Sequence, residues 1–332
     1  MRNLISILAI LLLFPSCSDY LDKMPDDKVS EKDVYSRFDK VDQLVTDLYS
    51  GAKSANKPLI YFNHFGTATI TDEGTGSSHE AAIPRQFQVG NWGPSVGMPD
   101  RSSTGQYWWG LYERVRKANL ILAGVKKYNT PDNPQQGREG DITRRVGETY
   151  FLRGYLHFLL LRAYGEVPYV LTALNPDDDM TGFDQLSAHK VVEMICADAD
   201  SAYARVDAFN GGQDFGRVDK GACLGLKAMA RWIAATPMYN SDGKFPNDTR
   251  IYKAEYGYKA ERWNAAKDAA KAVLECKDNN GAPRYQLYSK FDANDFGDLN
   301  NNNTNNSKVQ KRLWQMFFDM DAIQQEWVWV VT

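Results

Sequence analysis

Cysteine is scarce in this chain: four in 332 residues, namely Cys17, Cys196, Cys223 and Cys276. Beyond Cys17 an odd number remains, which permits at most one internal disulfide, so this is not a disulfide-built scaffold. Cys196 and Cys223 fall on helical patterns, where a free thiol acts as a small buried hydrophobe. Charge of one sign is lacking too. With 39 Lys and Arg against 42 Asp and Glu the formal charge is −3, far from the basic footprint of a nucleic-acid-binding surface. Past the first residues, no stretch approaches the roughly 18 consecutive apolar residues of a membrane span. Several catalytic motifs are missing as well: there is no His-Glu-x-x-His, no P-loop and no Gly-x-Gly-x-x-Gly. Histidines number four. His157 sits mid-helix beside Phe158 and reads as a satisfied core group, His189 opens a helical pattern, and His64 and His79 lie in a long loop. No second Cys or carboxylate at ligand spacing supports a zinc site. Neither a metal nor a cofactor is expected.

What is present begins with the leader. Arg2 supplies a positive end, an apolar run extends from Leu4 to Phe14, and Pro15 and Ser16 precede Cys17. A basic tip, a short apolar run and a small residue before the cut describe a secretory signal. The run is shorter than the roughly 20 residues of a membrane helix. A Cys just after the cut can carry a diacylglyceryl group on its thiol. The segment resembles a bacterial lipoprotein signal, with Phe14 and Pro15 standing where Leu and a small residue are usual; the alternative is an ordinary signal with a chance cysteine. Residues 1–16 are therefore expected to be a signal peptide, and 17–27, polar, acidic and broken by Pro25, a lipidated tether.

Residues 28–332 read as one mainly α domain, a tetratricopeptide-like helical-repeat core with a long loop-rich portion. Val34, Phe38, Val41, Leu44, Val45, Leu48 and Tyr49 recur at three- and four-residue steps, the mark of an amphipathic helix. From about Ser54 to Gly105 that period vanishes among Gly, Pro, Ser, Thr and Asn. A structureless stretch of this length inside a domain is functional or disordered, and its aromatic content argues against disorder. Residues 54–105 are thus the expected ligand-binding insertion. Periodicity returns with Trp109, Tyr112, Val115, Ala118, Leu122 and Val125, then over Thr143–Tyr164, which Gly165 stops. These two form a helical hairpin. Further helices are expected over Ser187–Val206, with Tyr203 on its stripe, Asp219–Ala235, with Met229 facing the core, and Glu261–Cys276, with Trp263 on its apolar face. Gly154, Ala230 and Ala270 mark close packing between them. Strand signals are confined mainly to Val167–Leu171 and Trp327–Val331. The latter run, apolar and without a terminating turn, predicts that the sequence is a fragment of a longer protein.

Binding chemistry is better represented than catalysis. Aromatics make up 12 %, including 18 Tyr and 8 Trp; many must be core, yet such a surplus also suits a surface that stacks on sugar rings. Asn91-Trp92-Gly93-Pro94 places an aromatic plate beside an amide in the insertion, with Arg85 near in sequence. For Trp92, ligand contact and local packing both stay open, whereas Trp108 and Trp109 are assigned to packing. Asp72-Glu73 is the best placed carboxylate pair in the insertion, and also reads as a turn or cap. Asp177-Asp178-Asp179 reads as a solvated loop, with a surface cation there or around Asp292, Asp295 and Asp298 as the alternative. Trp314 and Tyr288 could complete an aromatic platform. A glycosidase carboxylate pair is not excluded by counting.

Several blocks are similar to the SusD/RagB family of outer-membrane nutrient-binding lipoproteins. They are Cys17-Ser18-Asp19-Tyr20-Leu21-Asp22; Trp109-Gly110-Leu111-Tyr112 with Ala118-Asn119; Glu148-Thr149-Tyr150-Phe151-Leu152-Arg153-Gly154-Tyr155 running into Leu161-Arg162-Ala163-Tyr164-Gly165-Glu166-Val167-Pro168; and Gly216-Arg217-Val218-Asp219-Lys220-Gly221-Ala222 leading to Thr236-Pro237-Met238-Tyr239-Asn240. The resemblance implies tetratricopeptide units packed against an irregular ligand-binding portion, held at the outer membrane by the lipid on Cys17. It implies a SusC-like TonB-dependent transporter as partner, an oligosaccharide or sometimes a peptide as cargo, and binding without cleavage. Carried over by position, the ligand contacts would be Asp72, Arg85, Asn91, Trp92, Tyr288 and Trp314. Family members run well past this length, which implies that the C-terminal part of the domain is missing. A secreted all-α glycoside hydrolase and a helical scaffold for protein or peptide cargo are the alternatives.

Overall fold

Helical periodicity in the sequence becomes seven α-helices among the described residues. A computed structural model describes residues 30–62, 65, 66, 89, 90, 107–129, 138–175, 177–179, 181, 183–241 and 254–286. The helices are α1 (Glu31–Tyr35), α2 (Phe38–Ile60), α3 (Tyr107–Tyr128), α4 (Glu139–Tyr164), α5 (Ala188–Tyr203), α6 (Lys220–Ala235) and α7 (Ala260–Leu274). A two-stranded antiparallel ribbon, β1 (Tyr61–Phe62) with β2 (Phe65–Gly66), follows α2. The Val167–Leu171 segment is extended and makes a single antiparallel bridge, Val167 to Leu186, rather than a full strand.

The helix ends follow the side-chain chemistry. Ser30 caps α1 in a capping box with Asp33, Ser187 accepts from Lys190 N at the start of α5, and Asp219 accepts from Ala222 N at the start of α6. Each bond satisfies one of the amides that a helix start leaves without an internal partner. Gly165 ends α4 at φ 74°, its amide bonded to Leu161 O.

Helices pack in series, α3 on α4, α4 on α5, α5 on α6 and α6 on α7, with α2 laid against both α3 and α4. This is the stacking of a helical repeat. The centre is α4, flanked by α2, α3 and α5. From Phe151 to Leu161 every residue of it is buried, as expected for a helix covered on all sides. Where α4 meets α5, a β-carbon on Gly154 would stand 3.2 Å from Asp198 Cβ. The missing side chain therefore sets the distance between the two helices.

Further expectations are corrected. Helix α2 continues through Ser54–Ile60, beyond the point where apolar marks stop, because extending a formed helix costs far less than starting one. Trp109 is 68 % exposed and not on the core stripe. The buried stripe of α3 is Leu111, Val115, Ala118, Ile121 and Val125, and in that phase Trp108 turns inward instead. It packs on Tyr112 and edge-on to Tyr164, both at 4.9 Å between ring centroids. Met229 is exposed because the core face of α6 is taken by Ala222, Cys223, Leu226 and Ala230. Trp263 and Tyr203 are also exposed: of α7 only Ala266 is buried, and α5 turns its Val191, Ile195 and Ala199 face inward. The expected strand at Trp327–Val331 lies outside the described residues.

Candidate functional site

All of the expected ligand contacts, Asp72, Arg85, Asn91, Trp92, Tyr288 and Trp314, lie outside the described residues, as do Cys17, His64, His79 and Asp292, Asp295 and Asp298. What is described is the frame from which the insertion departs, and this frame carries a polar cleft of its own. Between α2 and α3, Asp47, Leu48, Ser50, Gly51, Glu113, Arg114 and Lys117 line a depression of about 240 Å³. Lys117 Nζ donates to Asp47 Oδ2 at 3.1 Å and lies 3.8 Å from Glu113 Oε1. Arg114 lies along its helix, donating to Gly110 O at 2.6 Å. Gly51 makes room for it, since a β-carbon there would stand 2.7 Å from Arg114 Nε.

Apart from the cleft, two buried polar networks fix the frame. In the first, Arg153 on α4 donates from Nε and Nη2 to Asp198 on α5, at 2.8 and 2.5 Å, and from Nη1 to Asn119 Oδ1 on α3 at 2.9 Å. Asn119 in turn donates to Val170 O and Thr172 O, and Tyr169 Oη donates to Asp198 at 2.7 Å. Val170 N donates to His157 Nε2 at 3.2 Å, so that nitrogen is the acceptor; Nδ1 carries the proton and donates to Arg153 O at 2.9 Å. Three helices thereby pin one extended segment. Burial drives the His157 pKa down to about 3, so the ring is neutral and stacks on Tyr169 with centroids 3.7 Å apart. Burial, reinforced by the Asp198 carboxylate, pushes the Tyr169 hydroxyl well up.

The second network joins α2, α4 and the loop before α6. Glu148, 2 % exposed at its side chain, accepts from Arg145 at 2.7 Å and Arg217 at 2.8 Å. Both arginines also bond Asp42, Arg217 at 3.0 Å. Burial raises the Glu148 pKa against the pull of the two guanidinium groups. Farther along, Asn240 ties two loops together: Lys259 N donates to its Oδ1 at 2.7 Å, and its Nδ2 donates to Lys259 O and Ala235 O.

These perturbed groups are held by the frame and turn toward it. Among the described residues, no group of three His, Cys, Asp or Glu side chains converges to hold a metal. Asp178 and Asp179 close turns by accepting from Asn175 N and Thr181 N, at 2.7 and 2.8 Å. Cys196, Cys223 and Cys276 are free and buried, and burial raises each thiol pKa. Sequence reasoning missed the exposed Trp109. The signal was available: Leu111, Val115 and Ala118 define a phase in which only one member of the Trp108-Trp109 pair can face inward.

A helical-repeat frame with a long insertion between α2 and α3 matches known proteins in sequence and in fold. The family model SusD-like, described as starch-binding associating with outer membrane, matches residues 19–208. The chain belongs to this SusD-like family, a carbohydrate-binding group associated with the outer membrane. Among solved structures it is similar to a protein designated BT4246, at 19 % identity over 87 % of this chain and 50 % of the other, with a TM-score of 0.60. A SusD homolog from Bacteroides thetaiotaomicron shares 20 % identity over 78 % of this chain and 43 % of its own, with a TM-score of 0.55. A SusD superfamily protein from the same organism shares 15 % over 76 % and 48 %, with a TM-score of 0.51. At these identities the likeness is one of fold, and the chain spans about half the length of the structures it matches or less. No curated protein matches in sequence.

Proposed function

We propose that the protein is a surface lipoprotein that captures an oligosaccharide and delivers it to a SusC-like TonB-dependent transporter, binding its cargo without cleaving it. The family match over residues 19–208 is the observation that carries this reading. The leader supports it: Arg2, the apolar run Leu4–Phe14 and Cys17 suit cleavage after residue 16 and a lipid on the new N-terminus. Residues 17–27 then serve as the tether, and 28–332 as a helical domain whose portion between α2 and α3, with Tyr288 and Trp314, meets the glycan. Asp72, Arg85, Asn91 and Trp92 supply what a sugar requires, a flat apolar face for its C–H surface and paired polar groups for its hydroxyls.

Titration calorimetry with neutral oligosaccharides of α-glucan, β-glucan, xylan, mannan and fructan backbones tests capture, with chromatography of the same mixtures for products. Binding of one class with the oligosaccharide recovered intact is expected. Shortened products would make the protein a glycoside hydrolase. No binding to any class, with tight binding to a co-purified transporter, would make it a scaffold.

A further inference from the structure

Trp109 is 68 % exposed near the start of α3. A large indole left in water forgoes the burial that normally accompanies so large an apolar side chain, and the packing task in this part of α3 is already met by Trp108. Glu113 stands one turn on from Trp109, on the same face of the helix. Beyond it lies the cleft between α2 and α3, with Lys117, Asp47, Ser50 and Arg114. We propose that Trp109 and this cleft form a contact for one ring of a neutral glycan: the indole covers the C–H face of the sugar, and Glu113, Lys117 and Asp47 take its hydroxyls.

Three observations point to that class of ligand. The side chains of Lys117, Asp47 and Glu113 are 46, 61 and 68 % exposed, so acceptors and donors are reached without moving the backbone. The charges lining the cleft balance, Asp47 and Glu113 against Arg114 and Lys117, which favours an uncharged saccharide over a phosphate or an acidic sugar. The volume of about 240 Å³ is below the roughly 300–1,000 Å³ of a full ligand pocket, so the cleft suits a single ring with the rest of the chain outside it. The inference rests on the glycan-binding reading and adds to it a contact built on α2 and α3.

The test is calorimetry with the same neutral oligosaccharide panel on the full chain and on Trp109→Ala, Trp109→Phe and Glu113→Gln, with Trp263→Ala as an exposed tryptophan outside the cleft. For the class that binds, Trp109→Ala should weaken affinity about threefold to tenfold, the range that an aromatic contact is worth. Trp109→Phe should keep most of the affinity, and Trp263→Ala all of it. An unchanged Kd for Trp109→Ala overturns this contact and leaves glycan capture standing. So does an equal loss in Trp109→Ala and Trp263→Ala, which would mark a general effect. Failure of the unmodified chain to bind any of the panel overturns both readings.

Discussion

Asp198→Asn is the sharpest probe of the frame, because it changes charge while keeping shape. Asp198 accepts two bonds from Arg153 and one from Tyr169, and the Arg153 and Asp198 side chains are 8 and 6 % exposed. Removing one partner of a buried ion pair costs about 3–5 kcal/mol, since the remaining charge stays desolvated. An asparagine keeps one acceptor oxygen but turns an amide donor toward donors, so a loss of about 3 kcal/mol is expected, near the lower end. For a domain of about 300 residues that corresponds to a fall in Tm of about 5 °C. Urea unfolding followed by far-ultraviolet circular dichroism gives the free energy, and calorimetry the Tm. Arg153→Met should cost about as much, because it strands the carboxylate instead. The double variant Arg153→Met with Asp198→Leu should cost well below the sum of Arg153→Met and Asp198→Leu measured singly, since it leaves neither charge uncompensated. A single-variant loss under about 1 kcal/mol, or strict additivity in the double variant, would refute a sealed network; a dry buried pair gives neither.

Two further outcomes follow from the same packing. The folded pKa of His157, about 3, lies below its ordinary 6.5, so the unfolded chain takes up a proton that the native ring refuses. This contribution is therefore complete above pH 6.5 and declines as pH falls toward 3, by about 2 kcal/mol at pH 5; urea midpoints at pH 7 and 5 should drop more for the unmodified chain than for His157→Gln, and equal drops would contradict it. Gly221→Ala places a β-carbon 1.9 Å from the Tyr285 hydroxyl, an overpacking expected to cost about 1–3 kcal/mol, and a thermal melt unchanged from the parent would contradict it.

The helices were legible because their cause is periodic. Apolar residues at three- and four-residue steps locate α2 to α6 without any partner being known, and Ser187, Asp219 and Gly165 mark ends through their own chemistry. Periodicity could not show that α2 passes through Ser54–Ile60, where Asn56 and Lys57 give no apolar mark and Pro58 argues for an ending. It could not phase α3 at a Trp-Trp pair without weighing Leu111 against Trp109. Nor could it show the buried pairs: Asn119, Arg153 and Asp198 are polar residues whose partners lie on other helices.

Those same polar residues explain why a family resemblance could be seen while a ligand could not. Asn119, Glu148, Arg153, Arg217 and Asn240 all fall within the blocks by which the chain is similar to SusD/RagB proteins, and each is bound into a contact between elements. Tyr112 in the Trp-Gly-Leu-Tyr block donates to Pro168 O at 2.8 Å, joining two blocks directly. A residue with several fixed partners on separate helices tolerates few replacements, because each change strands a buried donor or acceptor. A glycan contact in a surface loop carries no such constraint: its partner is the ligand, and a different sugar calls for a different side chain. The resemblance is therefore a resemblance of frames. Specificity has to be sought where the frame meets solvent, and Trp109 is an aromatic group on that boundary whose position the helices themselves fix.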